Sequence, residues 1–563
     1  MTSVLDSVSE TPPEVVVDTS QTQRSRSWTA LAIVVVIAPL VVAAVVLIVR
    51  GWNNLVPTDD IALTEVQVRE IGRHAVLTGA YSRFHWRHPG PALFYLLAPA
   101  YWLLRSRSVA LDVGALLINA ASIGAIIVLA ARRGGRALVA YTSVLLALFC
   151  FAVGPVMLYR PWTPHVTLLP FALVIVLLWS TTCGDAWALP VAFGVGSFVV
   201  QAHVGYVGPV VTAFVVTALL LTVQMVRPAW RPFSGRRLGV ALAISAAVVA
   251  VLWALPVWQQ LTGRPGNLGD LWRYVRDLRP ARSYASAFGV TVRQLGVVPH
   301  QVVTAHTGVA SPNLAGGLIT LGALVVAAVV AWRYRLSASL RLLAIVAALM
   351  PVSALAVARV SDNVSDTTHR YLVRWIAVIG LVAWIAFGST VIAALQTRVA
   401  TVTGRVDGPR RRTGLRLAAA GAAVVLALLT IVNVRAATRI ETRPVGTSAS
   451  VANLSPRVEH ALHTTGNGHV LVAMADGAPL DVVAGLLLQL DRRGTPVVVE
   501  PTWGWLLGPQ LVRDHERVTQ TVTVVGPAQT ALLRRDPAWR RIASAGGFEA
   551  YVARGDHPLA PRR

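Results

Sequence analysis

The feature that most constrains this chain is a series of apolar runs, each close to the ~20 residues a helix needs to cross the hydrocarbon of a bilayer. Eleven are clear, at 28–50, 109–131, 137–154, 164–181, 186–200, 203–226, 239–261, 313–332, 342–360, 371–396 and 414–434. Only 13% of the 563 residues are charged, against roughly 25% in a soluble domain. The sequence therefore predicts a polytopic α-helical membrane protein with about eleven transmembrane helices. The run at 28–50 is too long for the core of a cleaved signal and reads as a retained first span. Residues 1–27, rich in Ser, Thr and Pro, read as a disordered cytoplasmic tail.

Arginine placement orients the spans. The net charge is +24 with no lysine, so every side chain counted among the 50 basic residues is arginine. They gather at 132–136, 226–239, 333–341 and 397–416, and short basic loops of this kind stay on the cytoplasmic side. Counting outward, 51–108, 155–163, 201–202, 262–312, 361–370 and everything after 434 lie outside. That requires a twelfth apolar stretch, 90–104, not to cross. We expect it to lie along the membrane surface in a long first external loop, 51–108, together with an amphipathic helix over roughly 60–77. A second large external loop spans 262–312, and 28–434 forms one transmembrane domain.

From about 435 the pattern changes to short β-branched runs, "HVLVAMA", "TPVVVE", "TQTVTVVG" and "FEAYVAR", around one helical stretch, "PLDVVAGLLLQLDRRG". That alternation predicts an extracytoplasmic α/β domain over 435–563. Its "PTWGWLLG" is open to two readings, contact with sugar rings or packing of a loop.

Several function classes drop out. There is no basic stripe with interleaved aromatics for nucleic acid. No GxGxxG after a strand, Walker loop, HExxH or GxSxG is present. Cys150 and Cys183 form no CxxC pair. What remains are polar clusters that the topology brings to one face: Asp59, Asp60, Glu65, His85 and His88 of the first loop, "YRPWTPHV" (159–166), "VQAHVGY" (200–206), the 262–312 loop and "RVSDNVSDTTHRY" (359–371). Each has an ordinary alternative, a solvated helix face, a helix cap or a membrane-edge anchor. Their convergence on one side points to a site.

The stretches "DDIALTEVQVRE", "GAYSRFHWRHPGPALFY", "RPWTPHVTLLPF", "GSFVVQAHVGY" and "LTGRPGNLGDL", in this topological setting, resemble the type C glycosyltransferases. Within that superfamily they are similar to actinobacterial cell-envelope arabinofuranosyl- and mannosyltransferases. The resemblance covers about 28–320. It implies transfer of a sugar from a polyprenyl-phosphate donor to a hydroxyl of a cell-envelope polysaccharide, glycolipid or protein acceptor, with inversion. Arabinofuranose and mannose are the sugars it favours.

The resemblance also implies residue roles. Asp60, in Asp-x-Ala-x-x-Glu, matches the loop aspartate expected as general base, with Asp59 its neighbour and competitor and Glu65 available to bind the acceptor or assist the base. Arg160, His165, His203 and Arg370 are the candidates for the donor phosphate. His85, Trp86, His88, Trp162 and Gln201 are the candidates for substrate contact. A divalent cation at Asp59, Asp60 and Glu65 is left open, although hard-oxygen sites take more ligands than these supply. The rival readings are a transporter or lipid flippase, which would carry charge near the bilayer midplane, and a non-catalytic envelope scaffold built around the C-terminal domain.

Overall fold

The computed structural model describes residues 19–304, 312–360, 369–402, 409–462, 468–513 and 516–559. Parts of the expected tail (1–18) and of the expected connections (305–311, 361–368 and 403–408) lie outside the described residues.

All eleven apolar runs are helical. Among the described residues, nine helices are long and apolar enough to cross a membrane. One of them, Val109–Val153, carries two of the runs and breaks between them at Gly135, whose backbone (φ 59, ψ −152) is open to glycine at little cost. Ala188–Ala202 carries the 186–200 run and is shorter, at 15 residues. One apolar helix is enclosed on all sides: every residue of Leu168–Thr182 is buried, as expected for a helix that is hydrophobic all round. Gly235–Thr262 is at the edge, with Val251, Trp258 and Leu261 exposed.

The first loop holds two short helices, Asp59–Glu70 and Ala92–Leu103. The first ends seven residues sooner than its pattern suggests. Ile71 turns to extended backbone and Gly72 takes φ +93, while the Arg73 and His74 amides both return to the Glu70 carbonyl. Nor is it a surface helix with one wet face. Ala62, Leu63 and Val66 join the core of the C-terminal domain, whereas Val68 and the following Ile71 join the core of the helical bundle. The helix is thus packed on both sides.

The C-terminal domain is a five-stranded sheet ordered β2-β1-β3-β5-β4. Strands β1 (His469–Val472), β2 (Val497–Val499) and β3 (Val518–Val525) run parallel, and β5 (Phe548–Arg554) pairs antiparallel with β3 and with β4 (Arg540–Ala545). Helix Leu480–Arg492 connects β1 to β2 and buries Val482–Leu488. Strand β4 was not anticipated, because "RRIASA" offers no clear apolar alternation.

Candidate active site

Asp60 is the point at which three parts of the chain meet. Trp162 Nε1 donates to its Oδ2 at 2.5 Å. The Tyr81 hydroxyl lies close enough to favour the carboxylate, but its geometry falls short of a regular hydrogen bond, and Oδ1 is buried without a partner. Burial raises the Asp60 pKa above the usual carboxylate range, and Tyr81 and Trp162 pull against that rise. Beside it Asp59 takes φ +55, a left-handed conformation that aspartate tolerates better than most residues. Desolvation by the protein wall, with the Asp60 charge second, pushes the Asp59 carboxyl up to about 6. Because Asp59 keeps contact with solvent, water screens part of that effect.

A buried cation faces the same space. Arg87 is 7% exposed, and its guanidinium meets only carbonyls, Leu506 O at 3.3 Å and Gly79 O at 3.5 Å. No carboxylate pairs with it among the described residues, and burial lowers its pKa to about 10, so it stays charged at neutral pH. Its backbone is held from both sides by Asn267, which accepts from Arg87 N at 2.9 Å and donates to Arg87 O at 3.0 Å.

Next to Arg87, the rings of His88 and His203 lie 4.7 Å apart. His88 Nδ1 accepts from Val204 N at 3.2 Å and His203 Nδ1 from Gly205 N at 3.1 Å, so each neutral ring carries its proton on Nε2. Burial pushes the His203 pKa down to about 4; burial and the His203 charge push His88 well below its ordinary value. Both histidines are therefore neutral donors.

Most of these groups line one cavity of about 620 Å³, and Asp59 stands outside its wall. Asp60, Trp86, Arg87, His88, Trp162 and His203 all face it, as do Tyr81, Arg83, Arg359, Tyr371 and an aromatic wall that includes Trp272 and Tyr274. Most of the remaining lining is apolar. Residues 203–209, 356–360 and 371–375 place the cavity at one end of three long helices, beneath the C-terminal domain, which contributes Leu506.

No family model and no curated protein matches the sequence. Solved structures do. The structure of ArnT from Cupriavidus metallidurans in the apo state superposes with a TM-score of 0.54 over 95% of this chain and 98% of that one, at 16% identity. The chain shares the fold of ArnT. ArnT bound to undecaprenyl phosphate gives a TM-score of 0.52 at 14% identity, covering 96% of this chain and 100% of that one. The arabinofuranosyltransferase AftD from Mycobacteria aligns at 0.42 and 13% identity over 94% of this chain and 40% of that one, too loosely to bear on function.

On this scaffold the other sequence candidates fall outside the cavity lining. Glu65 is fully buried on another face of its helix, accepting from the Tyr101 hydroxyl at 2.9 Å and lying 3.5 Å from Arg492 Nε. Gln201 donates to Leu252 O at 2.8 Å and closes over Gly90, where any side chain would collide with it. His85 (φ +65) packs its ring 4.2 Å from that of Trp505. His165 stands edge-on to Trp162 at 4.7 Å, behind the indole that holds Asp60. Arg160 acts electrostatically on Asp59, and Arg370 begins the turn whose next residue, Tyr371, stacks on Trp162 at 4.8 Å.

Among the described residues no group of three or more His, Cys, Asp or Glu side chains is arranged to hold a metal ion. Asp59 and Asp60 with Glu65 turned away do not make a hard-cation site, and no chemistry is routed through one.

Tyr81 and Arg87 are the residues that sequence reasoning passed over. Arg87 sits inside "HWRHPG" with no acidic residue nearby in sequence, and that isolation was the available signal.

Proposed function

We propose that this cavity transfers a sugar from a polyprenyl-phosphate donor to an acceptor hydroxyl, with Asp60 as general base. The observation that carries the reading is Arg87. A buried guanidinium without a counter-ion costs several kcal/mol, and a phosphate at this position would offset that cost through a bidentate, charge-assisted pair. The Nε2–H groups of His88 and His203 add neutral donors without requiring a proton from solution. The apolar remainder of the cavity suits an isoprenoid chain, and ArnT with its bound undecaprenyl phosphate shows that a related fold accommodates such a lipid.

The reaction then needs one proton acceptor. The acceptor hydroxyl gives its proton to the Asp60 carboxylate as its oxygen bonds to the anomeric carbon, while the bond from that carbon to the phosphate oxygen breaks. Polyprenyl phosphate leaves with the electron pair, and displacement from the opposite face inverts the centre. Burial raises the basicity of Asp60, which favours proton capture, and Trp162 keeps the carboxylate oriented. Arabinofuranose or mannose is the sugar class the sequence resemblance favours, and the acceptor is a cell-envelope glycan, glycolipid or protein. The arginine-rich connections at 132–136, 226–239, 333–341 and 397–416 adjoin the helix ends opposite the cavity, which supports an extracytoplasmic site.

The test is release of polyprenyl phosphate by the protein in lipid nanodiscs, with a panel of polyprenyl-phosphate sugars and envelope acceptors, for wild type and Asp60→Asn. Turnover of one donor that disappears in the variant supports the assignment. No turnover of any donor, together with an Asp60→Asn chain that still restores the envelope of deficient cells, returns the question to a transporter or scaffold.

A further inference from the structure

The Asp59–Glu70 helix is wedged between two bodies, and the C-terminal domain grips it where the chemistry needs accuracy. Its Ala62, Leu63 and Val66 belong to the core of the sheet domain. Helix Leu480–Arg492 of that domain comes so close at Gly485 that a Cβ there would stand 3.0 Å from Pro57 O and 3.2 Å from Thr58 Cγ2, just ahead of the aspartate pair. A second grip comes from the Trp503–Gly508 segment. Leu507 O accepts from Gln67 Nε2 at 3.2 Å, and Leu506 O accepts from Arg87. The Trp505 ring lies 6.0 Å from that of Tyr81, edge to face, and 4.2 Å from His85. Tyr81 in turn lies against Asp60.

We infer that the C-terminal domain is a working part of the active site: Trp505 is a positioning residue that holds the Tyr81 hydroxyl against Asp60, and Gly485 permits the close approach that sets the start of the base helix. The kinetic side of this inference rests on the glycosyl-transfer reading. The domain reaches the base, the buried arginine and the cavity wall at once, so its seating fixes their relative positions. "PTWGWLLG" therefore packs on the active-site loop and meets protein rings.

The charged and titratable groups around Asp60 are Asp59 on its own helix, Tyr81 from the loop, Asp481 from the sheet domain, Arg160 and His165 from the 159–166 turn, and Tyr371 beyond Tyr81. Trp505 carries no charge, so its removal acts on the Asp60 titration by releasing Tyr81, and any water it admits acts the other way by relieving the desolvation that raises the Asp60 pKa; Trp505→Leu keeps an apolar side chain there to limit that second effect. A released Tyr81 no longer favours the carboxylate, the Asp60 pKa rises, and the acid limb of the rate profile moves to higher pH.

The experiment uses full-length protein in nanodiscs with the donor panel and compares wild type, Trp505→Leu, Tyr81→Phe, their double variant and Gly485→Ala. Misplacement of about 1 Å costs up to about 100-fold in rate, so a kcat loss of about tenfold or more with little change in donor KM is expected for Trp505→Leu. Its acid limb should move upward, as in Tyr81→Phe, and the double variant should move no further. Gly485→Ala should lower kcat; the helix propensity gained is offset by crowding against Pro57 O, Thr58 Cγ2 and Val451 Cγ2, so kcat and not the melting temperature is its readout. An acid limb and kcat unchanged in Trp505→Leu overturn the inference while wild-type turnover leaves the glycosyl-transfer reading standing. If wild type turns over no donor, that reading fails first. The contact is then judged by melting temperatures alone: non-additive losses in the Trp505 and Tyr81 variants support it, and additive losses overturn it.

Discussion

On either side of the Asp59–Glu70 helix the protein buries arginine, and the two sides treat it differently. Toward the Leu480–Arg492 helix, Arg69 Nε meets Asp491 Oδ2 at 2.5 Å, and Arg492 meets Glu65 at 3.5 Å and the Ser108 hydroxyl at 2.8 Å. Every charge there has a partner supplied by the fold. Toward the cavity Arg87 is as deeply buried, yet among the described residues it has only carbonyls. Paired charge fixes how two domains sit together, and the proposed role of the other arginine is to meet the donor phosphate. The same contrast separates two acids on one helix. Glu65 faces Tyr101 and Arg492 on the docking side, whereas Asp60, five residues earlier, faces the cavity, and each keeps one carboxylate oxygen without a hydrogen-bond partner.

The largest effects should come from the cavity side. Asp60→Asn is expected to lower kcat by about 10²–10⁴-fold, the usual range for a general base, while leaving the melting temperature in place. Arg87→Met should break the comparison more sharply. Removing one member of a buried charge pair costs about 2–5 kcal/mol of binding, so donor affinity should fall at least about 30-fold. The ligand-free protein should melt no lower than wild type, since the variant removes an uncompensated charge and keeps most of the stem's volume. A clear drop in melting temperature with unchanged donor affinity would make Arg87 a structural residue like Arg69.

How much of this contrast was legible in the sequence depends on the distance over which it is decided. The helices were legible because an apolar run of ~20 residues is a local fact, and so was the parallel part of the sheet, whose β-branched runs flank one helical stretch. Asp60 was singled out by its local spacing to Ala62 and Glu65, and the structure places it in the cavity lining. The roles of Glu65 and Arg87 were not legible. Glu65 is settled by Arg492, more than 400 residues later, and Arg87 by the absence of any such partner, which no local pattern records. The 60–77 expectation erred for the same reason: only the docked sheet domain shows that both faces of the helix are covered.

The docking side should show the reverse pairing of effects. Glu65→Ala leaves Arg492 facing a buried void and the Tyr101 hydroxyl without its acceptor. Breaking a buried ion pair from one side costs about 3–5 kcal/mol, and that loss should appear in thermal unfolding with donor KM near the wild-type value. Tyr101→Phe removes two hydrogen bonds, the one donated to Glu65 and the one accepted from Arg69 Nη1, and should cost about 2 kcal/mol. If either variant raised donor KM as strongly as Arg87→Met, the division into a docking side and a binding side would fail.

The last effect concerns pH and tests whether the two histidines are held neutral. His203 titrates near 4 in the folded chain and near 6.5 when unfolded. A folded pKa below the unfolded one means that the unfolded state binds the extra proton first. The contribution of His203 to stability is therefore fully present above about 6.5 and is lost as the pH falls from there toward 4. His203→Gln keeps a neutral hydrogen-bonding side chain and has no proton to gain. Its melting temperature should consequently decline less than that of wild type between pH 6.5 and 4, with the two curves parallel above pH 7. Curves parallel over the whole range would mean that His203 is not held neutral by burial, and the proposal that the His88–His203 pair offers uncharged donors to a phosphate would lose its basis.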